Sequence, residues 1–339
     1  MTAGCYLSVV LPTLGARERL SRSLPALCDA LEELRSSLGG AGEAEIVVVD
    51  DSGEWRVGPL LPEVLSAHGE GDRRVPLRTV ATERNLGFGP AVMRGAREAR
   101  GEHLLILHDD VLVGAEAVGA LLQVLTAAAE VFAVAPELSE PAPTESASTE
   151  PGPGAAPRRA PARVVRLEDG QVVVRPAARR APVAHLGGAE VVDLEVLPSA
   201  AMLVRRGEFL DLGGFDRLFA PGPLEDVDLS LCARRRGRRL VQVVGAEAVR
   251  LDLGDGIGEV LPPAMARALE ARNLLLLRWK HLSKRADAAD HLVSLWRASL
   301  EAGLTGDREA LEGVALAVER LGEMAESRAT LTGAAPIEL

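Results

Sequence analysis

The chain has 339 residues, of which 47% are hydrophobic and 26% charged, and its formal net charge is −11. This composition supplies a sizeable core and excludes an intrinsically disordered chain. The acidic balance excludes a global electrostatic footprint for nucleic acid, so no nucleic-acid partner is expected.

Three cysteines, Cys5, Cys28 and Cys232, are scattered without metal or redox spacing. A reducing compartment and no disulfide framework are the expectation. The N-terminus enters an apolar strand with no basic leader, and the longest apolar run in a helical context, Leu274–Leu277, is far short of a membrane span. A cytoplasmic protein is expected, peripheral at most to the inner face of a membrane.

In chain order, Leu7–Leu11 reads as a buried strand that stops at Pro12. Leu20, Leu24, Leu27, Leu31, Leu34 and Leu38 recur at helical spacing up to Gly39-Gly40. Ile46–Val49 is a second strand, and it runs into Asp50-Asp51-Ser52-Gly53. Leu77–Ala81 is a third, leading into Glu83-Arg84-Asn85-Leu86-Gly87-Phe88-Gly89, with Pro90 placed to start a helix through Arg100. Leu104–Leu107 is a fourth and ends in His108-Asp109-Asp110, and Phe132–Ala135 is a further short strand. Continuous apolar strands alternating with amphipathic helices predict an α/β fold with a mostly parallel central sheet covered on both faces. Ligands of such sheets bind beyond the carboxyl ends of the strands.

From Pro136 to Arg163 the composition shifts to Pro, Ala, Ser, Thr and Glu, which predicts a flexible insertion. It carries Glu137, Glu140, Glu145 and Glu150, and it turns basic at Arg158, Arg159 and Arg163. Val164–Leu167 and Gln171–Val174 flank Glu168-Asp169-Gly170 as a hairpin, and Arg175, Arg179 and Arg180 extend the basic character. Ala200–Val204 and Leu240–Val244 are the last predicted strands. Beyond Pro262-Pro263 three helices are expected, over Ala264–Leu282, Asp287–Ala302 and Asp307–Ser327. The chain therefore divides into a sheet domain over 1–262, carrying the insertion 136–163, and a helical extension over 263–339.

The densest chemistry lies in Gly213–Arg234, where a Gly pair and a Pro-Gly-Pro turn lead to Glu225, Asp226 and Asp228 at a helix start. Backbone N–H groups favour acids there, so a generic capped helix is one reading. Asp50-Asp51, Asp109-Asp110 and this cluster together are the other. Carboxylates gathered at one sheet edge repel unless a cation or basic partner offsets them, and Mg²⁺ or Mn²⁺ takes carboxylates together with substrate phosphates. Phosphate-loop, nucleophile-elbow and zinc-spacing motifs are absent from the sequence.

Ser8–Thr13, Glu45–Ser52, Asn85–Gly89, His108–Asp110, the Gly213–Asp216 and Glu225–Leu229 stretches, and Arg272-Asn273 together resemble the inverting family 2 glycosyltransferases of the GT-A fold, in particular their rhamnosyltransferase-like branch. The resemblance spans most of residues 7–282. It implies a hexosyl or deoxyhexosyl transferase that takes a nucleotide-diphosphate sugar and a glycan or lipid-linked acceptor, in cell-surface polysaccharide or glycan synthesis. By the same resemblance Asp226 is the base and Glu225 its neighbour. Pro12, Thr13, Asp50, Asp51, Asn85, Gly87 and Asp109 hold the nucleotide sugar, and Asp110 holds Mg²⁺ or Mn²⁺.

Two features depart from the family pattern. His108 stands at the first position of the family's DxD metal motif, and Arg250 or Leu251, with Asp252 next, stands where a metal-binding His is usual. Those departures keep a catalytically degenerate nucleotide-sugar-binding or scaffolding protein open as the alternative. A nucleotidyltransferase is the weaker one, because Pro12-Thr13-Leu14-Gly15 is not the Gly-rich basic loop it needs. No processive-synthase motif is present.

Overall fold

A computed structural model describes residues 7–37, 43–66, 75–140, 158–168, 171–177, 183–251, 261–282 and 285–331. The first part alternates strand and helix: β1 (Leu7–Thr13), α1 (Arg17–Ser37), β2 (Ala44–Asp50), α2 (Val57–Ser66), β3 (Leu77–Ala81), α3 (Phe88–Glu98) and β4 (His103–Leu107). Then come β5 (Val111–Val113), α4 (Ala115–Ala127), β6 (Val131–Glu140), β7 (Arg158–Arg159), β8 (Arg163–Glu168), β9 (Gln171–Pro176), β10 (Val183–Leu186) and β11 (Ala189–Asp193). β12 (Ala201–Arg205), α5 (Arg206–Asp211), α6 (Glu225–Arg235) and β13 (Arg239–Arg250) complete the sheet region. α7 (Pro263–His281), α8 (Arg285–Thr305), α9 (Arg308–Glu319) and α10 (Leu321–Ala329) form the helical extension.

The main sheet runs β10-β11-β13-β6-β12-β4-β1-β2-β3. Its β3-β2-β1-β4 half is parallel throughout, whereas β12 is antiparallel to both β4 and β6. This is the expected mostly parallel sheet flanked by helices, of GT-A or Rossmann-like type, with a helical C-terminal extension.

The pleat explains why the strands read as unbroken apolar runs. Val9 and Leu11 of β1, Ile46 and Val48 of β2, and Leu105 and Leu107 of β4 point to one face, into a core shared with α1, α2 and α4. Val10, Val47, Val49, Leu104 and Ile106 point to the other, against α3, Phe209 of α5, and Leu229 and Ala233 of α6. Successive side chains alternate between faces, so both faces must be apolar when both are covered. Each such buried Val, Leu or Ile contributes roughly 1.5–3 kcal/mol. A glycine sets one of these contacts: a Cβ on Gly95 of α3 would lie 2.5 Å from Val10 Cγ1 and 2.8 Å from Val49 Cγ2.

A third core joins the acidic stretch to the extension. Leu218, Phe219, Leu224, Val227 and Leu231 pack with Leu275, Leu276, Leu277 and Ala317. The first helix of the extension is therefore built into the same body as α6.

Several sequence expectations change. The insertion begins later than Pro136, because β6 continues to Glu140 and pairs there with β7 through Ser139 and Arg159. The third C-terminal helix is two, broken at Arg320, whose guanidinium turns back to the Leu218 and Ala220 carbonyls at 2.8 and 2.7 Å. β5, β10, β11, α2 and α5 carried no clear pattern in the sequence. Cys5, Leu38–Gly40, Glu145, Glu150, Asp169-Gly170, Arg179, Arg180 and Asp252 lie outside the described residues. No helix among the described residues is long and apolar enough to cross a membrane.

Candidate active site

The carboxyl ends of β1, β2, β3 and β4 meet at one edge, because parallel register aligns them: Thr13 pairs with Asp50, Asp50 with Ala81, and Val10 with Ile106. Pro12 and Thr13 end β1 in full burial. The Thr13 hydroxyl donates to Asp109 Oδ2 at 2.6 Å and accepts from the Gly15 N–H at 3.1 Å. Arg19, buried in α1, approaches the other oxygen of Asp109 at 3.8 Å. Thr13 and Asp109 are thus joined across the edge.

Asp50 and Asp51 are bound into the loops around the site. Asp50 accepts from the Ser52 N–H and hydroxyl on Oδ1, at 3.1 and 2.6 Å, and from the Val57 N–H on Oδ2, at 2.8 Å, at the start of α2. Asp51 accepts from the Thr82 hydroxyl at 2.8 Å, the Leu86 N–H at 3.0 Å and the Gly87 N–H at 2.9 Å. Burial raises the Asp51 carboxyl pKa, with those hydrogen bonds opposing it. The sequence reading presented both side chains directly to a nucleotide. In the structure their oxygens accept from protein donors, because Asp50 ends β2 and Asp51 follows it, where loop N–H groups lack other partners.

Asn85 is exposed, and its Oδ1 accepts from the Gly87 N–H at 2.9 Å. Gly87 has φ 87°, which disfavours a side chain, and a Cβ there would sit 3.5 Å from Pro221 Cα. A Cβ on Gly89 would sit 3.2 Å from Phe215 Cβ and 3.7 Å from Glu225 Cγ. The Asn85–Gly89 loop therefore bridges the β2 edge and the acidic start of α6.

Asp110 is nearly fully buried, and its Oδ2 accepts from Arg250 Nε at 2.8 Å. Its Oδ1 has no hydrogen-bond partner, and His108 Nδ1 stands 3.8 Å from it. His108 packs on Phe88 with ring centroids 4.5 Å apart, and its buried Nε2 is also without a partner. Burial lowers the His108 pKa to about 4, against the pull of Asp110, so the ring is neutral at pH 7. An orphan carboxylate oxygen beside a neutral imidazole is a donor set that fits Mg²⁺ or Mn²⁺. Arg250 places a fixed cation on the same carboxylate, where the resemblance leads one to expect a His.

Across from Asp110, Glu225 and Asp226 open α6. The residue before them, Leu224, has φ 85°, a strained conformation for a side-chain-bearing residue. The approach to it is clamped from α7. Arg272 Nη2 donates to the Phe219 and Pro221 carbonyls at 2.9 and 2.7 Å, and Asn273 Nδ2 to the Phe219 and Pro223 carbonyls, both at 2.7 Å. That is what the Arg-Asn pair does here: it fixes the loop that delivers the acids.

Asp226 Oδ1 accepts from the Val227 N–H at 2.8 Å, and Oδ2 from the Ser199 N–H at 3.3 Å and from Arg163 Nη2. Glu225 is buried, and its Oε2 has no partner. Burial, and then repulsion from Asp226, push its pKa to about 8. At neutral pH the Glu225 carboxyl therefore holds its proton.

Asp228 belongs to a separate cluster. Asp228, Cys232 and His281 offer ligand atoms within 4.8 Å of one another, a second candidate metal group. Lys280 Nζ already lies 2.7 Å from Asp228 Oδ2 and 2.8 Å from Asp216 Oδ2, and His281 Nε2 lies 2.7 Å from Asp228 Oδ1. Burial pushes the Cys232 thiol up to about 12. With an ammonium in the cation's place and a protonated thiol, the cluster works as a buried ion pair that ties α6 to α7. Asp228, the fourth residue of α6, is structural.

Three participants escaped the sequence reading of the site: Arg163, Arg19 and Lys280. All lie far in sequence from the acids they meet. Only the basic tone of 158–180 hinted at Arg163.

Residues 8–163 match the family model described as glycosyl transferase family 2. Among curated proteins, a dolichol-phosphate mannosyltransferase of Pyrococcus furiosus is 27% identical over 119 residues, 35% of this chain and 30% of that protein. The chain thus aligns with less than a third of that relative's length. Among solved structures, GalNAc-T7 with UDP, GalNAc and Mn²⁺ superposes with TM-score 0.62 at 15% identity, covering 99% of this chain and 56% of that one. Residues 1-349 of S. aureus TarS, in complex with UDP-GlcNAc, superpose with TM-score 0.53 at 15% identity, covering 95% and 81%. At these identities the likeness is one of fold.

Proposed function

With residues 8–163 as a glycosyl transferase family 2 segment on a GT-A-type sheet, we propose that the chain moves a hexosyl or deoxyhexosyl group from a nucleotide-diphosphate sugar to an acceptor hydroxyl, with inversion. The setting is glycan or cell-surface polysaccharide synthesis, and the branch is the rhamnosyltransferase-like one. The observation that carries this is the pairing of Glu225 and Asp226 opposite the Asp110 edge, bridged by Asn85–Gly89.

Inversion requires one in-line displacement. The acceptor oxygen bonds to the anomeric carbon, the bond to the diphosphate breaks, and the acceptor proton passes to a carboxylate. Asp226 is that carboxylate, because the neutral Glu225 beside it holds its own proton and cannot take another. Glu225 orients the pair and faces the acceptor. Thr13, Asp109 and the loops held by Asp50, Asp51 and Asn85 shape the nucleotide pocket, and the UDP ligands of the two solved relatives are of the kind it would take. Asp110 and His108 would hold Mg²⁺ or Mn²⁺, which supplies positive charge against the departing diphosphate. Arg250 adds a permanent charge at the same place.

A non-catalytic nucleotide-sugar binder is the second reading. What favours it is that arginines cap both functional carboxylates, Arg163 on Asp226 and Arg250 on Asp110. The test is Asp226→Asn with a panel of UDP-, dTDP- and GDP-sugars. Turnover should fall at least 100-fold while nucleotide affinity holds. Unchanged turnover would sink the base assignment, and tight binding without turnover in the unaltered protein would favour the binder.

A further inference from the structure

Next to the acids lies a groove of about 730 Å³, formed by the β8–β9 hairpin, the Asp193–Glu195 segment and the turn after α6. Arg163, Arg166, Arg175, Arg234, Arg238 and Arg239 line it. Asp193 and Glu195 are the acids in its wall.

The pairing of these charges is uneven. Arg238 is held by Glu208, with one contact at 2.8 Å, and Arg239 by Asp193 at 3.0 and 3.2 Å. Glu195 accepts two hydrogen bonds from Arg166, at 2.7 and 3.0 Å, yet it also faces Arg234 at 3.9 Å, beyond hydrogen-bond distance. One carboxylate therefore serves two guanidinium groups, and Arg234 carries the surplus. Arg163 divides its Nη2 between the Leu197 carbonyl at 2.8 Å and Asp226. Its side chain is 34% exposed and that of Arg234 30%, so both are open to the groove.

We propose that this groove binds a phosphate-bearing acceptor, and that the phosphate draws Arg163 off Asp226 and so releases the base. This rests on the glycosyl-transfer reading above. Phosphate oxygens match the guanidinium fork and satisfy several arginines at once, which a neutral sugar does not. Arg163 both lines the groove and bonds to Asp226, so occupancy of one is coupled to the freedom of the other. In the absence of acceptor the same contact keeps the base from activating water against the donor. In this scheme Arg163 and Arg234 both bind the acceptor phosphate, and Arg163 also restrains Asp226 until the acceptor arrives.

The experiment is calorimetric titration of the protein with inorganic tripolyphosphate, with UDP saturating so that the donor site is filled. Tripolyphosphate should bind, and Arg234→Ala should weaken it tenfold or more. Arg163→Ala should weaken it as well and raise donor hydrolysis by water several-fold, which a merely structural arginine would not do. In a second arm, phosphatidylcholine vesicles carry phosphatidic acid. Capture lost in Arg234→Ala assigns the phosphate to a lipid-linked acceptor, and tripolyphosphate binding without capture assigns it to a soluble one. UDP binding with no tripolyphosphate binding, or binding unchanged in both variants, overturns the groove proposal alone. Failure of UDP to bind overturns the donor reading, and the acceptor role falls with it.

Discussion

Glu225→Gln isolates the protonated acid beside the base. In the folded chain this carboxyl rises from 4.5 to about 8, driven first by burial and then by Asp226. A raised carboxyl pKa means that the folded state keeps a proton the unfolded chain releases. Stability is therefore lost as pH rises from about 4.5 to about 8, at 1.36 kcal/mol per pH unit, and the loss is complete above that. The full effect is on the order of 3–5 kcal/mol. Glutamine keeps the shape of the neutral acid and removes the titration. Urea unfolding at a series of pH values from 4.5 to 9 should show the variant and the unaltered protein converging at the acid end. At pH 8 and above the variant should be more stable by that amount. Turnover at pH 7 should stay within about tenfold, since the group it replaces is already neutral there, while any limb of the pH–rate profile near 8 should vanish. Parallel stability curves across the range would refute the argument, as would a variant less stable at pH 8.

Lys280→Met should destabilise the fold by about 3–5 kcal/mol at pH 7, because it leaves Asp228 and Asp216 without the ammonium they share. Removing Lys280 raises the Asp228 pKa, so the loss should shrink toward pH 5, read from urea midpoints. Gly95→Ala should cost about 1–3 kcal/mol by pushing α3 off β1 and β2, seen as a lower thermal midpoint. Asp110→Ala should abolish the part of nucleotide-sugar affinity that depends on added Mg²⁺ or Mn²⁺, measured by titration with and without chelator, and leave the metal-free part in place.

The central strands of the sheet and the location of its acids are legible in the amino-acid sequence alone. Apolar runs such as Val9–Leu11 and Ile46–Val49 dictate strands buried on both faces, and residues that follow such strands in a parallel sheet must share an edge. So Thr13, Asp50, Asp51, Asp109 and Asp110 were legible as one neighbourhood, and Glu225 and Asp226 as a helix start. Only the tertiary structure decided what each acid faces. Asp50 and Asp51 turn to loop N–H groups, Asp110 to Arg250, Asp226 to Arg163, and Asp228 to Lys280 and His281. Those partners lie between 2 and 140 positions away in sequence. A side chain's charge and local conformation are written in its own segment, but its desolvation and its counter-charge are set by whichever element packs across from it. Glu225 and Asp226 are adjacent and both acidic. Burial and the placement of one arginine are what make them different groups.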